Sequence, residues 1–183
     1  MLALVVGPSG AGKDTLLDGA REILAGDGQF RFVRREITRP ADAGGEAHVE
    51  VSLAEFAARR AAGGYALSWE AHGLGYGITA GIIADLAAGR VVVASVSRGV
   101  IAEAAARFPT LVLEITAPAD RLARRLVARG REGEDEIAAR LARTVALPDG
   151  IARETVMNDG SIADGVARVV AVLNRAAAAG LPA

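Results

Sequence analysis

The feature that most constrains this chain is a glycine-rich loop directly after its first apolar segment. The apolar run Leu2–Val6 is followed by Gly7, Pro8, Ser9, Gly10, Ala11, Gly12, Lys13, Asp14 and Thr15. This order predicts a buried strand, a loop whose backbone N–H groups surround an anion, and a helix whose N-terminus adds positive potential. We therefore expect an α/β fold with a phosphate-binding loop after its first strand.

The only lysine of the chain lies inside this loop, at Lys13, and every other basic residue is arginine. A flexible ammonium group can bridge the β- and γ-phosphates of a nucleotide as a point charge, which a planar guanidinium does not do equivalently. We therefore expect the whole loop to bind ATP and Lys13 to act in catalysis. The alternative is a chance glycine-rich turn between a strand and a helix.

The loop departs from the usual pattern at its metal position. A serine or threonine that ligates Mg²⁺ normally follows the lysine, but here Asp14 follows it and Thr15 comes next. Mg²⁺ favours oxygen ligands and keeps several waters. The predicted strand at 90–96 ends in Ser95 and Val96, Ser97 follows it, and none of these residues is a second acid. Asp14 and Thr15 are therefore our predicted metal ligands.

Composition narrows the class of protein. A chain of 183 residues is expected to form one domain. It has no apolar run near the roughly 20 residues that span a membrane, and residues 1–6 lack the basic segment of a signal peptide. The absence of cysteine excludes disulfides and fits a cytoplasmic protein. A net charge of −1 argues against a general nucleic-acid or membrane surface.

Apolar patterns predict strands that alternate with helices. The predicted strands are 2–6, 30–35, 65–69, 90–96, 110–116 and 155–157. The predicted helices run from 13 to about 25, 53–62, 80–88, 98–107, 118–129, 134–147, and 162 to about 179, with Ser52 and Thr79 as N-caps and Pro118 in the first turn. A loop or hairpin is expected at 38–50 and a glycine-rich turn at 72–77. This alternation indicates a doubly wound parallel sheet that binds ligands at the carboxyl ends of its strands.

Three further motifs follow the loop in a fixed order. They are Thr38-Arg39-Pro40 with a later Trp69 and Tyr76, an arginine-rich segment at 125–141, and Asn158-Asp159. Together they resemble the guanylate kinase family over nearly the whole chain. The resemblance implies a P-loop NTPase domain over 1–183, with a substrate-binding insertion at about 34–78, a small lid at about 126–138, and Asn158 near the nucleotide.

The departures from guanylate kinases concern the acceptor site. The guanine-reading glutamate of that family falls on Ser68, and a small hydroxyl residue falls on Arg35. A phosphate-binding tyrosine is replaced by His48, whereas a second one is kept as Tyr76. A site loses much affinity for a base edge when its hydrogen-bonding partners are removed. The pocket is therefore expected to take an acceptor with less base and more negative charge.

A branch of this family fits that description, the ribose 1,5-bisphosphate phosphokinases of phosphonate degradation. Their Gly-Lys-Asp loop resembles the one here, and so do their segments corresponding to Ile37–Glu46 and Leu67–Gly73. The resemblance implies Mg²⁺-dependent transfer from ATP to the 1-phosphate of the sugar bisphosphate, giving 5-phosphoribosyl 1-diphosphate (PRPP) and ADP. Because the attacking phosphate oxygen is already anionic, catalysis reduces to alignment and charge neutralisation.

The expected roles follow from this resemblance. Catalytic residues would be Lys13, Arg125, Arg129 and Arg140, and substrate-binding residues would be Arg35, Arg39, His48, Ser68 and Tyr76. Arg34 and Arg35 point to opposite faces of a strand, so a shift by one residue would exchange them. Arg125 and Arg140 have solvated helix faces as an alternative, and Arg98 is either a phosphate ligand or a surface residue. Two other functions stay open, a nucleoside monophosphate kinase with an altered base site and a non-catalytic nucleotide-binding module.

Overall fold

A computed structural model describes residues 1–42, 47–128 and 150–180, and the side chains of 125–128 are outside this description. The strands are β1 (Leu2–Val6), β2 (Phe30–Phe32), β3 (Glu36–Ile37), β4 (Val49–Glu50), β5 (Tyr65–Ala71), β6 (Leu74–Thr79), β7 (Val91–Ser95), β8 (Thr110–Thr116) and β9 (Ala152–Met157). The described helices are α1 (Lys13–Ile23), α2 (Leu53–Ala61), α3 (Ile82–Ala87), α4 (Ile101–Arg107), α5 (Ala119–Ala128) and α6 (Ile162–Ala178).

A five-stranded parallel sheet forms the centre, in the order β2-β7-β1-β8-β9. Strand β1 lies in the middle and is completely buried, because apolar clusters cover both of its faces. Helices α1 and α6 pack on one face, and α4 with the β5–β6 hairpin packs on the other. The carboxyl ends of β1 and β7 therefore meet at one edge, as the doubly wound pattern predicts.

A second, four-stranded sheet has the order β4-β3-β6-β5. Strands β5 and β6 form an antiparallel hairpin that turns at His72 and Gly73, both with positive φ (52° and 73°). Positive φ at two central residues is typical of the tight turn whose twist matches paired strands. The four strands lie between residues 36 and 79, and all but the last residue fall in the stretch at about 34–78 that we predicted as the substrate-binding insertion.

The glycine-rich segment at 72–77 was wrongly predicted as a turn, because most of it is strand β6. Its glycines accommodate aromatic packing across the sheet. A Cβ on Gly77 would lie 2.3 Å from the Tyr65 ring, and one on Gly75 would lie 2.7 Å from the Phe56 ring. A strand that must pass beneath two aromatic rings needs glycine at these positions, and this pattern looks like a turn in the sequence.

Several predicted boundaries also change. Strand β2 stops at Phe32, and the chain joins the second sheet at Glu36. No hairpin forms between β3 and β4, because these two strands are parallel. Helix α3 starts after Gly81, so Thr79 is not its cap, whereas Ser52 caps α2 as predicted and also forms a reciprocal capping box with Glu55.

Other boundaries shift by smaller amounts. The predicted helix at 98–107 begins as a 3₁₀ turn before α4, Pro118 precedes the first residue of α5, and β9 starts three residues earlier than expected. The predicted helix at 134–147 and most of the predicted lid lie outside the described residues. Among the described helices, none is long and apolar enough to cross a membrane.

Candidate active site

The loop after β1 has the backbone of an anion-binding turn. Gly7 has φ of 149°, and a Cβ there would lie 1.9 Å from the carbonyl oxygen of Ile115, so only glycine fits between β1 and β8. Gly10 and Gly12 have φ of 83° and 85°, in the left-handed region. A run of such conformations turns successive N–H groups toward one point, where the N-terminus of α1 adds to the positive potential.

Lys13 is the first residue of α1, and its ammonium group reaches back over the loop. Its Nζ donates hydrogen bonds to the carbonyl oxygens of Gly7 and Pro8, at 2.9 and 3.0 Å. The charge is therefore held at the loop, as the sequence pattern predicted.

Asn158 supports the loop from below. Its side chain is only 5% exposed, and Nδ2 donates to the carbonyl oxygen of Ala11 at 2.8 Å. Its backbone N–H donates to the carbonyl oxygen of Thr116 at 2.7 Å. These bonds join the loop to the end of β8 and give Asn158 a positioning role, whereas its predicted contact with the nucleotide stays a prediction.

The loop opens into a cleft of about 540 Å³ between the two sheets. One wall carries the loop with Lys13, Asp14 and Thr15, and its floor contains Ser95 and Ser97 after β7. The facing wall comes from the second sheet and carries Arg35, Arg39, Trp69, Ala71, His72 and Tyr76. Two arginines thus face the phosphate loop across one cleft.

Arg35, Tyr76 and Trp69 form a stack on the facing wall. The rings of Trp69 and Tyr76 are 5.4 Å apart and nearly parallel, at 5°. The Cζ atom of Arg35 lies over the Tyr76 ring, 5.5 Å from its centroid. Of the two arginines, Arg35 lines the cleft, whereas Arg34 is exposed and lines only an adjoining cavity of about 60 Å³ that Arg35 also lines.

Arg39 and His48 form a second pair. His48 Nε2 lies 3.0 Å from the carbonyl oxygen of Arg39, and Nδ1 lies 3.4 Å from its Nη2. A carbonyl oxygen only accepts, so we assign the proton to Nε2, which leaves Nδ1 to accept from the guanidinium. His48 does not line the cleft. These contacts orient Arg39, and the predicted substrate contact of His48 stays a prediction.

Arg39 also has a donor that fits an anion. Its Nε atom is buried and has no hydrogen-bond partner among the described residues. A buried donor without a partner is costly and needs an explanation, such as a bound ion. Because Arg39 lines the cleft, a phosphate oxygen is a fitting partner.

The prediction for Ser68 needs correction. Ser68 lies in β5 opposite Gly77, and its neighbour Trp69 faces the cleft. Adjacent residues of a strand point to opposite faces, so the Ser68 hydroxyl points away from the acceptor site. The neighbouring side chain that lines this wall is Trp69, which stacks on Tyr76.

A buried carboxylate supports the acceptor wall from behind. Glu36 is 6% exposed, accepts a hydrogen bond from the Tyr65 hydroxyl at 2.6 Å and pairs with Arg59 of α2. Burial, followed by the hydrogen bond to Glu36, raises the pKa of the Tyr65 hydroxyl and keeps it a proton donor. This network was missed, although an acid between Arg35 and the apolar Ile37 is the signal that could have found it.

The remaining candidates are four arginines, of which the structure describes the side chain of one. Arg98 pairs with Glu114 at 2.8 Å, and Glu114 also pairs with Arg153. The Nε atom of Arg98, like that of Arg39, is buried and has no partner among the described residues, but Arg98 does not line the cleft, so its contacts favour a structural role. Arg125 lies in α5, but its side chain is outside the described part, as are Arg129 and Arg140.

Asp14 and Thr15 bring a carboxylate and a hydroxyl to the cleft. The described residues contain no group of three acidic, histidine or cysteine side chains that would hold a metal. This donor set fits Mg²⁺ bound with a nucleotide, for which phosphates and water supply most ligands.

No protein-family model matches the chain. A relative from Agrobacterium fabrum, named ribose 1,5-bisphosphate phosphokinase PhnN, is 46% identical over 183 residues, covering 99% of this chain and 100% of the relative. This chain belongs to the ribose 1,5-bisphosphate phosphokinase family. A further member, from Methylobacterium radiotolerans, is 49% identical over 173 residues, covering 94% of this chain and 96% of its own.

Other relatives place this family in longer proteins. One from Azorhizobium caulinodans, named bifunctional ribose 1,5-bisphosphokinase-thymidine phosphorylase, is 52% identical over 171 residues, and the chain spans 25% of its length. Among solved structures, guanylate kinase from Anaplasma phagocytophilum has a TM-score of 0.64 at 16% identity, covering 100% of this chain and 86% of its own. That likeness confirms the guanylate kinase-like P-loop fold.

Proposed function

We propose that this chain transfers the γ-phosphoryl group of ATP to the 1-phosphate of ribose 1,5-bisphosphate. An oxygen of the 1-phosphate forms a new bond to the γ-phosphorus as the bond to the β–γ bridging oxygen breaks. The products are ADP and 5-phosphoribosyl 1-diphosphate. The observation that carries the proposal is a phosphate loop that faces two arginines, Arg35 and Arg39, across one cleft.

The loop wall suits the donor. Backbone N–H groups around Gly10 and Gly12 would bind the phosphates, and Lys13 would balance the charge that develops between the β- and γ-phosphates. Asn158 would keep the loop in this shape through Ala11. No proton has to be removed from the attacking oxygen, so this wall needs to supply alignment and charge.

The facing wall suits a small acceptor with two phosphates. Arginine binds phosphate through paired N–H groups in a fixed fork, and Arg35 and Arg39 offer two such groups. Trp69 and Tyr76 form the apolar part of the wall, on which one face of a sugar ring can lie. We propose that Arg125, Arg129 and Arg140, which lie in or beside the predicted lid, close over the transferring group, as in a kinase that excludes water before reaction.

Asp14 and Thr15 would hold Mg²⁺ that arrives with ATP, since both lie at the loop and bring oxygen ligands. When bound, the ion neutralises phosphate charge. We expect Asp14→Ala to raise the Mg²⁺ concentration that gives half-maximal rate and to lower turnover as well. The matched control is Glu22→Ala, about two turns later on α1, at an exposed position that does not line the cleft. Equal Mg²⁺ dependence in the two variants would contradict the assignment.

The test of the whole proposal is ADP release from Mg-ATP with a panel of acceptors. The panel contains ribose 1,5-bisphosphate, GMP, AMP, gluconate and no acceptor. We expect release with the sugar bisphosphate alone, and 5-phosphoribosyl 1-diphosphate as the product in a chromatographic assay. Release with GMP instead would indicate a nucleoside monophosphate kinase, and ATP binding without any acceptor-dependent release would indicate a binding module.

A further inference from the structure

We infer that Trp69 is a positioning residue of the acceptor site, because it fixes Tyr76 and, through Tyr76, the guanidinium of Arg35. The inference rests on the proposed function, because it takes the ligand of Arg35 to be a phosphate of the acceptor.

The three groups are ordered by the strands that carry them. Trp69 and Tyr76 are direct partners across the β5–β6 hairpin, and Ile37 is paired with Tyr76 on the other side. Arg35 precedes β3 by one residue and so lies diagonally across from Tyr76. Diagonal neighbours on one face of a sheet lie within reach of long side chains. The order of the stack is therefore a consequence of strand register.

The indole is the rigid end of this stack. Trp69 is 9% exposed and packs in the apolar cluster that includes Leu67 and Ile78, beneath the parallel sheet. Tyr76 is half-buried at the edge of that cluster, and Arg35 lies farther out in the cleft. The buried Trp69 ring therefore limits the movement of Tyr76, and Tyr76 in turn limits the rotamers that the long Arg35 side chain can adopt.

This arrangement matters for a guanidinium that binds phosphate. Arginine N–H groups lie in the plane of the guanidinium, whereas stacking uses its face. The Tyr76 ring contacts the face of the Arg35 guanidinium, so it fixes the direction of the N–H groups and leaves them available to bind phosphate. Removing the indole leaves Tyr76 without its parallel partner, so Arg35 should lose its fixed direction while its charge remains.

The kinetic test compares two replacements. Trp69→Phe keeps an aromatic ring against Tyr76, and Trp69→Leu keeps apolar bulk without one. For Trp69→Leu we expect the KM of the acceptor to rise about tenfold, the size expected from losing one aromatic and one cation–π contact. We expect the KM of ATP to stay within about twofold, because the loop wall is intact, and Trp69→Phe to lie near the wild type. An unchanged acceptor KM in Trp69→Leu, or an equal rise in the KM of both substrates, would overturn the inference.

A second measurement needs no variant at all, because Trp69 is the sole tryptophan of the chain. Its fluorescence should change when the acceptor alone is titrated, and reach saturation with the acceptor. ATP alone should produce the smaller change, since the phosphate loop lies on the opposite wall. A change with ATP but none with the acceptor would contradict the inference even if Trp69→Leu failed to fold.

Both measurements use whichever acceptor gives ADP release in the panel. If ribose 1,5-bisphosphate gives no release, the proposed function is wrong, and the comparison of Trp69→Phe with Trp69→Leu still applies to the acceptor that does react. Failure of the substrate assignment and failure of the inference about Trp69 therefore produce different results.

Discussion

The two walls of the cleft are built by different means. The loop wall comes from consecutive residues, 7–15, and its shape is set by backbone conformation, with Gly7 fixed against Ile115. The acceptor wall is assembled from separate segments that carry Arg35, Arg39, Trp69 and Tyr76, and its shape is set by contacts between side chains. The first wall depends on local sequence and the second on strand register.

This difference predicts how each wall responds to amino-acid substitution. A loop whose backbone must curve around an anion tolerates few alternatives, because each N–H group points inward only in one conformation. A wall of stacked and hydrogen-bonded side chains can change its ligand through single replacements that leave the backbone in place. Substitutions in the loop wall should therefore abolish the reaction, and those in the acceptor wall should change affinity or selectivity.

The strongest test of the loop wall is Lys13→Ala. We expect kcat to fall by about 10²–10³-fold, the range found when one preorganised donor to developing charge is removed. The measurement is ADP release at saturating ATP and acceptor. The control is Lys13→Arg, which keeps the charge but should stay well below the wild type, because a planar fork does not replace a compact ammonium group. A rate within about threefold of the wild type for Lys13→Ala would contradict the role of Lys13.

The matching test of the acceptor wall is Arg39→Ala. We expect the acceptor KM to rise by about 10–100-fold, because hydrogen bonds to charged groups contribute about 1.5–3 kcal/mol. The KM of ATP should change little. Arg34→Ala is the control, since Arg34 is exposed and outside the main cleft. If Arg34→Ala raised the acceptor KM as much as Arg39→Ala, positive charge in general would attract the acceptor, and Arg39 would not be a specific binding residue.

The contrast between the walls also explains how far the sequence could predict them. The loop is formed by consecutive residues, Gly7 to Thr15, so the local sequence determines its backbone shape. The strand, the loop, the helix and the position of Lys13 could therefore be predicted. The parallel sheet followed from the alternation of apolar runs with helical patterns, and the structure confirms it.

The acceptor wall could be predicted only in part. Arg35, Arg39 and Tyr76 were found through resemblance, but the resemblance named Ser68 without showing which face of β5 it lies on, because that depends on the register with β6. Gly75 and Gly77 looked like a turn, although they make room for rings of Phe56 and Tyr65 that lie elsewhere in the chain. Such contacts depend on residues far apart in sequence, and no local pattern contains them.

The support behind the acceptor wall can be tested through stability. Glu36→Ala leaves the buried Tyr65 hydroxyl without its acceptor, and we expect the free energy of unfolding to fall by about 1–3 kcal/mol. Denaturant unfolding followed by circular dichroism measures this. Glu70→Ala is the control, since Glu70 lies in the same sheet and pairs with Arg60 where both are exposed, so its loss should change stability little.

Glu36→Gln sharpens this comparison. A glutamine retains an oxygen that accepts from Tyr65, so it should recover part of the stability lost in Glu36→Ala. A loss in Glu70→Ala as large as that in Glu36→Ala would show that burial of the carboxylate is not what matters.

The smallest effect is expected at His48, whose ring contacts the side chain and the carbonyl oxygen of Arg39. His48→Ala removes one bond to the guanidinium and one to the carbonyl oxygen of Arg39, and we expect the acceptor KM to rise by about 3–10-fold. His48→Gln should stay near the wild type, because its amide oxygen can accept from Arg39 while its NH₂ group donates to the carbonyl. Steady-state kinetics with the acceptor varied at saturating ATP measures both. A loss in His48→Gln equal to that in His48→Ala would favour direct contact of the imidazole with the acceptor, whereas recovery in His48→Gln would place His48 behind the wall.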